Sequence, residues 1–299
     1  MNGPRQEGPK QGALARAASA CFLGIAMLVS MTFAISCSVG VDVGPTQELA
    51  IDEPLGSAAV TDVEIAMGAG NLLVGPGATG LASGVIRYNV DAWKPTVVRT
   101  DNKLTIEQGK KGGLEALGGD VVNDWQLQLG GAPMRLQVSA GAYEGTYDLG
   151  GLTLQDLTIK DGASKTEVSF DSANPGQMQR LLYETGASDV NLTGLANANF
   201  RTLEFKGGAG SYTLDFSGQL RTDGTVRIEA GVGTVTVVVP AGTAARVTVE
   251  GSLTDVSLQG EWTTTGKTSS TPAAQAVGQG KTLTITVDMS VGTLKLVTE

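Results

Sequence analysis

Any chemistry in this chain would have to proceed without histidine. The 299 residues contain none, alongside 2 cysteines and 30 acidic against 21 basic side chains. That removes the commonest general base, the Ser–His and Cys–His nucleophile pairs, and every His-liganded metal site. Carboxylates remain: Asp148, Asp156 and Asp161 are close in sequence, as are Asp120 and Asp124. A calcium loop needs alternating oxygen ligands in a tight turn, as in D-x-D-x-D-G, and no such run occurs. The repeated G-G-x-G-x-D nonapeptide is approached once only, by GGAGSYTLD. Cleavage of acidic polysaccharides needs Asp clustered with Lys or Arg in a groove, and the bases here are scattered. Neither an S-x-x-K nor a G-x-S-x-G nucleophile motif is present. The sequence therefore predicts no catalytic residue, no cofactor and no metal, with the carboxylates forming a solvated acidic face. A net charge of −9 and a pI near 4.7 have the wrong sign for nucleic acid.

Sulfur chemistry points to a membrane instead. Arg5, Lys10 and Arg16 precede an uncharged run from Ala17 to Ile35, close to the roughly 20 residues that span a bilayer. The run is longer than the roughly 7–15 apolar residues of an ordinary signal peptide. Basic residues on its N-terminal side hold that side in the cytoplasm and send the long body outside. Ala34-Ile35-Ser36-Cys37 then resembles a bacterial lipobox, whose cysteine is diacylated and becomes the mature N-terminus. Ser36 and Ile35 fit, while Ala34 stands where leucine is preferred. Two acyl chains anchor stably where one is marginal. Cys37 is thus the candidate lipid-attachment residue; an uncleaved signal anchor and simple secretion are the alternatives. With Cys21 removed and Cys37 acylated, the exported body has no disulfide and must hold together by packing and hydrogen bonds.

What must position any site is a repeat. Glycine, at 42 residues, is roughly twice its ordinary share. A glycine, small residues and an alternating strand recur as GAYEGTYDL (Gly141), GASKTEVSF (Gly162), GASDVNL (Gly186), GAGSYTLDF (Gly208), GVGTVTVVV (Gly231) and GSLTDVSL (Gly251), every 20 to 24 residues. A divergent copy, SVGTLKL, starts at Ser290, and an outlier, GAGNLLV, at Gly68. Each step holds a second apolar stretch, such as Leu157/Ile159, Leu203/Phe205 and Val226/Ile228. Two short strands per step of this length predict an all-β fold, a parallel β-solenoid (β-helix) of short coils of about 20–24 residues. In that reading glycine supplies positive φ at the corners, and inward residues stack as ladders such as Val168/Val190/Leu214/Val235. A run of antiparallel hairpins is the structural alternative. With aromatics at 5%, a narrow bore filled by Val, Leu and Ile is expected. Gln177 to Tyr183 is the best helix-like stretch and is too short to set a class. Asn197 and Asn199 suit a corner where side-chain amides bond neighbouring backbone. Two stretches break the rhythm, Gly109–Asp120 and Trp262–Gly280. Trp262 leads the second and is the candidate partner-contact residue.

LDFSGQL (Leu214–Leu220), preceded by GGAGSYT and NANFRTLEF, resembles bacterial toast-rack or adhesin-type domains, related to the C-terminal domain of LiaF-like cell-envelope stress proteins. The similarity extends through YDLGGLTLQDLTIKDGAS (Tyr147–Ser164) and GVGTVTVVVP (Gly231–Pro240). The resemblance implies a right-handed β-solenoid, often membrane-tethered, without established enzymatic activity and associated with envelope stress response or surface interaction. LiaF-like proteins carry several membrane helices, whereas this chain has one candidate segment.

The expected organisation is a signal peptide or anchor at 1–36 and a tether at 37–54. A smaller N-terminal toast-rack-like β domain comes next at 55–127, then the β-solenoid adhesin or LiaF-like domain at 128–299. The expected role is a non-enzymatic lipoprotein of the cell envelope, extracytoplasmic and anchored to the bacterial cell membrane by lipid or by its N-terminal helix. It would bind or sense an envelope protein or glycan, and not nucleic acid. The alternatives are a self-assembling scaffold, associating through open solenoid ends, and a polysaccharide-active β-helix enzyme.

Overall fold

The computed structural model describes residues 42–109, 120–251, 253–276 and 280–299. The apolar segment 17–35 and Cys37 lie outside the described residues, as does most of the glycine-rich stretch after Gly109. No helix among the described residues is long and apolar enough to cross a membrane.

The fold is almost wholly β. Among the described residues sixteen strands make one sheet: β1 (Gln47–Glu53), β2 (Thr61–Pro76), β3 (Ala82–Tyr88), β4 (Thr96–Arg99), β5 (Lys103–Glu107), β6 (Asn123–Leu129), β7 (Met134–Asp148), β8 (Leu154–Ser169), β9 (Met178–Thr193), β10 (Phe200–Asp215), β11 (Gly224–Val239), β12 (Ala244–Glu250), β13 (Leu253–Gln259), β14 (Thr263–Thr265), β15 (Thr268–Ser270) and β16 (Thr282–Thr298). The long strands β2, β7, β8, β9, β10, β11 and β16 pair in parallel in that spatial order. Before them, β1, β3 and β6 pair antiparallel, and β6 joins β2 in parallel.

Three expectations change. First, every step but the Gly251 one is a single strand of 15 to 17 residues, not two short ones. The ladder runs through the glycine and skips it: Gly207 pairs with Ala230 and Ala209 with Val232, with Gly208 and Gly231 between. In the same way Gly68, Gly141, Gly162, Gly186, Gly208, Gly231 and Ser290 fall in one column. The column glycines are needed for space, since a Cβ on Gly208 would collide with the carbonyl oxygen of Gly186. Positive φ falls two residues later on four rungs, at Gly70, Gly210, Gly233 (φ 142°) and Gly292, where only glycine is comfortable. Tyr143, Ser164 and Ser188 take that place on the rungs between Gly70 and Gly210.

Second, the inward ladder named from sequence mixes two columns. Val168 stacks with Leu192, Leu214 and Val237, whereas Val190 stacks with Tyr212 and Val235. Alignment by the glycine column, one rung at a time, sorts them. Met178–Tyr183 is strand because Leu181 and Tyr183 complete the columns between Leu157/Ile159 and Leu203/Phe205. Nor is the bore aliphatic alone: Phe170, Tyr183, Phe200, Phe205 and Phe216 are fully buried in it. Few aromatics in the chain does not mean few in the core.

Third, the rungs are not stacked in chain order. The Gly251 copy, split into β12 and β13, lies outermost, and β16 slots between it and β11. The hairpin β14–β15, drawn from the second insertion, pairs with the outer edge of β12 and returns the chain. β16 has Leu283, Ile285, Val287, Met289, Leu294 and Leu296 all buried. β16 thus fills a position paired on both sides, where each such side chain contributes about 1.5–3 kcal/mol.

The connections between rungs are held by asparagines. Asn197 Nδ2 donates to the Phe170 carbonyl at 2.9 Å, and its Oδ1 accepts the Gln219 N–H at 3.0 Å. Asn199 adopts φ 55° and donates to the Gly176 carbonyl. Both corner roles match the sequence reading. Asn174, fully buried, donates to the carbonyls of Leu154 (2.8 Å) and Ala198 (3.1 Å) and accepts from the Gly176 N–H (3.0 Å).

Candidate functional site

Two residues before the column glycine, side chains point outward and stack from rung to rung. The members are Lys160, Glu184, Lys206, Glu229 and Asp288. Opposite charges on adjacent rungs are about 4.8 Å apart by strand spacing, so they pair across the ladder. Lys160 Nζ lies 2.7 Å from Glu184 Oε2, and Lys206 Nζ lies 3.1 Å from Glu184 Oε1. Hydrogen bonds from Lys160 and then Lys206 hold the Glu184 carboxyl below the usual glutamate range. Arg227 lies 2.5 Å from Glu229 and 3.9 Å from Asp288. A second outward column alternates in the same manner, with Arg135 at 2.7 Å from Asp62 and 3.6 Å from Asp156.

Because the column glycines carry no side chain, a trough of about 590 Å³ opens beside the charged column. Lys160, Glu184, Lys206, Glu229 and Asp288 line it, with backbone at Gly207, Gly208 and Gly231. Asp161 also reaches it. Its Oδ2 accepts hydrogen bonds from the hydroxyls of Tyr183 (2.6 Å), Ser164 (3.0 Å) and Tyr143 (3.4 Å). The Tyr143 and Tyr147 hydroxyls are 3.0 Å apart.

Burial, and then the charge of Asp161, push the Tyr143 hydroxyl up to about 12. Tyr212 is raised to about 12 by burial, and burial also raises Tyr147 and Tyr183 well above the usual tyrosine value. At neutral pH these hydroxyls therefore keep their protons. The carboxylate of Asp161 directs its acceptor capacity to its own neighbours. The arrangement can bind by charge and hydrogen bonding.

The residues singled out from sequence go to separate places. Cys37 lies outside the described residues. Trp262 is half-buried, packs against the edge of the core and donates Nε1–H to the Gln259 carbonyl at 3.3 Å. Trp93 and Trp125 are buried, the latter donating to Asn123 Oδ1 at 2.8 Å. Asp148 accepts the Gly150 N–H at 3.1 Å, Asp156 faces Arg135, and Asp124 accepts from Asn71 at 2.6 Å. The five aspartates are thus not brought together, and among the described residues no three potential ligands converge on a metal-sized site. The tyrosine network and the charged column escaped the sequence reading. The column did leave a signal: K-D-G, E-T-G, K-G-G and E-A-G alternate in charge two residues before each glycine.

A family model described as the N-terminal domain of toast_rack, DUF2154, matches residues 42–180 and 177–238. No curated protein matches the chain. Among solved structures, a candidate cell adhesion protein from Clostridium sporogenes is similar with a TM-score of 0.48 at 20% identity, covering 85% of this chain and 100% of that one. A candidate lipid binding protein from Parabacteroides distasonis has a TM-score of 0.34 at 8% identity, covering 84% and 97%. A candidate adhesin from Bacteroides fragilis has a TM-score of 0.32 at 14% identity, covering 84% and 97%.

Proposed function

The chain belongs to the toast-rack family, and from that premise we propose that it is a non-enzymatic binding module of the bacterial cell envelope. It is a parallel β-solenoid of 20–24-residue coils, held outside the cytoplasm by lipid on Cys37. Its ligand is an extended polar polymer, an envelope glycan or protein segment, lying in the trough along the glycine column. The observation that carries this reading is the trough itself. Backbone is bare in it at Gly207, Gly208 and Gly231, and its wall repeats Lys160, Glu184, Lys206 and Glu229 at the spacing of the rungs. A repetitive ligand meets a repetitive wall, and a rigid ladder loses little conformational entropy on binding.

Retention of the detergent-solubilised full chain on delipidated cell-envelope material tests the reading. Lys160→Gln with Lys206→Gln should weaken retention about tenfold or more while leaving thermal unfolding nearly in place, because half-exposed ion pairs contribute only about 0–1 kcal/mol each. Equal retention by wild type and variant, or no retention by either, overturns it. For the anchor, Cys37→Ala should abolish incorporation of labelled fatty acid; unchanged labelling overturns lipidation.

A further inference from the structure

The two ends of the parallel ladder are finished differently. At the β2 end, the outer edge is covered along both halves, by β5 over Asp62–Ala66 and by β6 over Asn71–Pro76. Leu72 and Val74 there are 2% and 0% exposed. At the other end, the terminal rung is β12 with β13. β15 pairs with β12, but among the described residues no strand pairs with the outer edge of β13. Val256 and Leu258 continue the inward columns beyond Leu294 and Leu296, yet are 39% and 44% exposed. Half of one rung thus has an outer edge with no strand on it and two apolar columns open together, Trp262 Nε1–H engaging only the carbonyl of its last residue, Gln259; this is the combination that accepts an added strand.

We propose that a second copy of this chain covers that edge, β13 pairing antiparallel with β13 about a two-fold axis through Ser257. This register sets Val256 against Leu258 and Asp255 against Gln259, twice over by symmetry. Opposed residues in an antiparallel pair share a face, so the apolar columns of the two copies join. From Asp255 to Gln259 the strand carries one charge, and the register never sets it against itself. The free edge of β1 is unlike this: Glu48, Asp52 and Glu53 crowd seven residues with three carboxylates, the kind of charge that keeps an edge unpaired. An isologous contact also closes on itself and ends at the dimer rather than growing into a filament.

The test uses the full chain in detergent, with cysteines introduced on β13 and mild oxidation. Ser257→Cys should give a disulfide-linked dimer, since opposed Cα atoms are about 4.5–5.5 Å apart, within bridging range. Asp255→Cys alone should not cross-link, whereas Asp255→Cys combined with Gln259→Cys should. Val256→Lys with Leu258→Lys, at positions already open to water, should weaken dimerisation in sedimentation about tenfold or more with the unfolding transition retained. The proposal is overturned if wild type sediments as a monomer at every concentration, or if the double lysine variant dimerises as tightly. It also fails if Ser257→Cys stays unlinked, bridges to Cys21 or Cys37, or captures a different protein.

Discussion

A methyl group on Gly208 would be driven into the backbone carbonyl oxygen of Gly186 on the rung below. The same relationship repeats up the column, with Gly231 above Gly208 and Gly186 above Gly162. Side-chain volume at this step is therefore set by the neighbouring strand's backbone, which cannot move without breaking its own ladder.

Gly208→Val should accordingly destabilise the fold by about 3 kcal/mol or more, the range of a clash that only backbone can relieve. Gly131, whose Cβ would meet nothing within 4 Å, is the control. Gly131→Ala should be neutral, or stabilising by up to about 1 kcal/mol through the unfolded chain. Denaturant unfolding of both variants checks the contrast.

Stacking order makes a second prediction. Leu296 in β16 is fully buried between two rungs, whereas Leu258 in terminal β13 is 44% exposed. Leu296→Ala should cost about 2–5 kcal/mol, and Leu258→Ala under about 1 kcal/mol. Were the rungs stacked in chain order, Leu258 would be internal and the two results would be reversed.

Alkaline pH should unfold the protein through its tyrosines. Tyr143 titrates near 10 when unfolded and near 12 when folded, so between these values the unfolded chain has lost a proton that the native state retains. Its contribution is full below pH 10 and is lost as pH rises through about 12, amounting to about 2–3 kcal/mol. Tyr143→Phe should make the alkaline limb of stability against pH shallower, followed by circular dichroism and tyrosinate absorbance.

Asn174 offers a test of the connections. Asn174→Ala removes three hydrogen bonds at a fully buried site and leaves the carbonyls of Leu154 and Ala198 without that amide donor. The expected loss is about 2–4 kcal/mol, read from denaturant unfolding. Asn174→Asp should be no better, because a carboxylate cannot donate to those carbonyls.

How much of the molecule is legible in its sequence differs by element. The period-two alternation around Leu203/Phe205 and Tyr212/Leu214 announces strands, and the glycines at Gly186, Gly208 and Gly231 announce the step. Asn197 and Asn199 announce corners. The trough is half legible: Lys160, Glu184, Lys206 and Glu229 recur at a fixed offset from glycine. That they pair across rungs emerges only once the rungs are in register. Asp161 gives no sign of its tyrosine partners, because Tyr143 and Tyr183 belong to the two adjacent strands.

By itself, the sequence determined the composition of each rung: its period, its apolar face, its glycine step and the absence of histidine chemistry. These are local properties, carried by residues near one another in the chain. The tertiary structure alone decided which rung lies beside which. Whether β16 inserts beneath β12 and β13 depends on how much apolar surface each strand buries with neighbours on both sides, a comparison between strands that a reading along the chain does not make. That decision moved Leu296 inside and left Val256 and Leu258 at an open edge. Register between adjacent rungs, likewise a relation between strands, joined Asp161 to the tyrosine hydroxyls of both neighbouring strands.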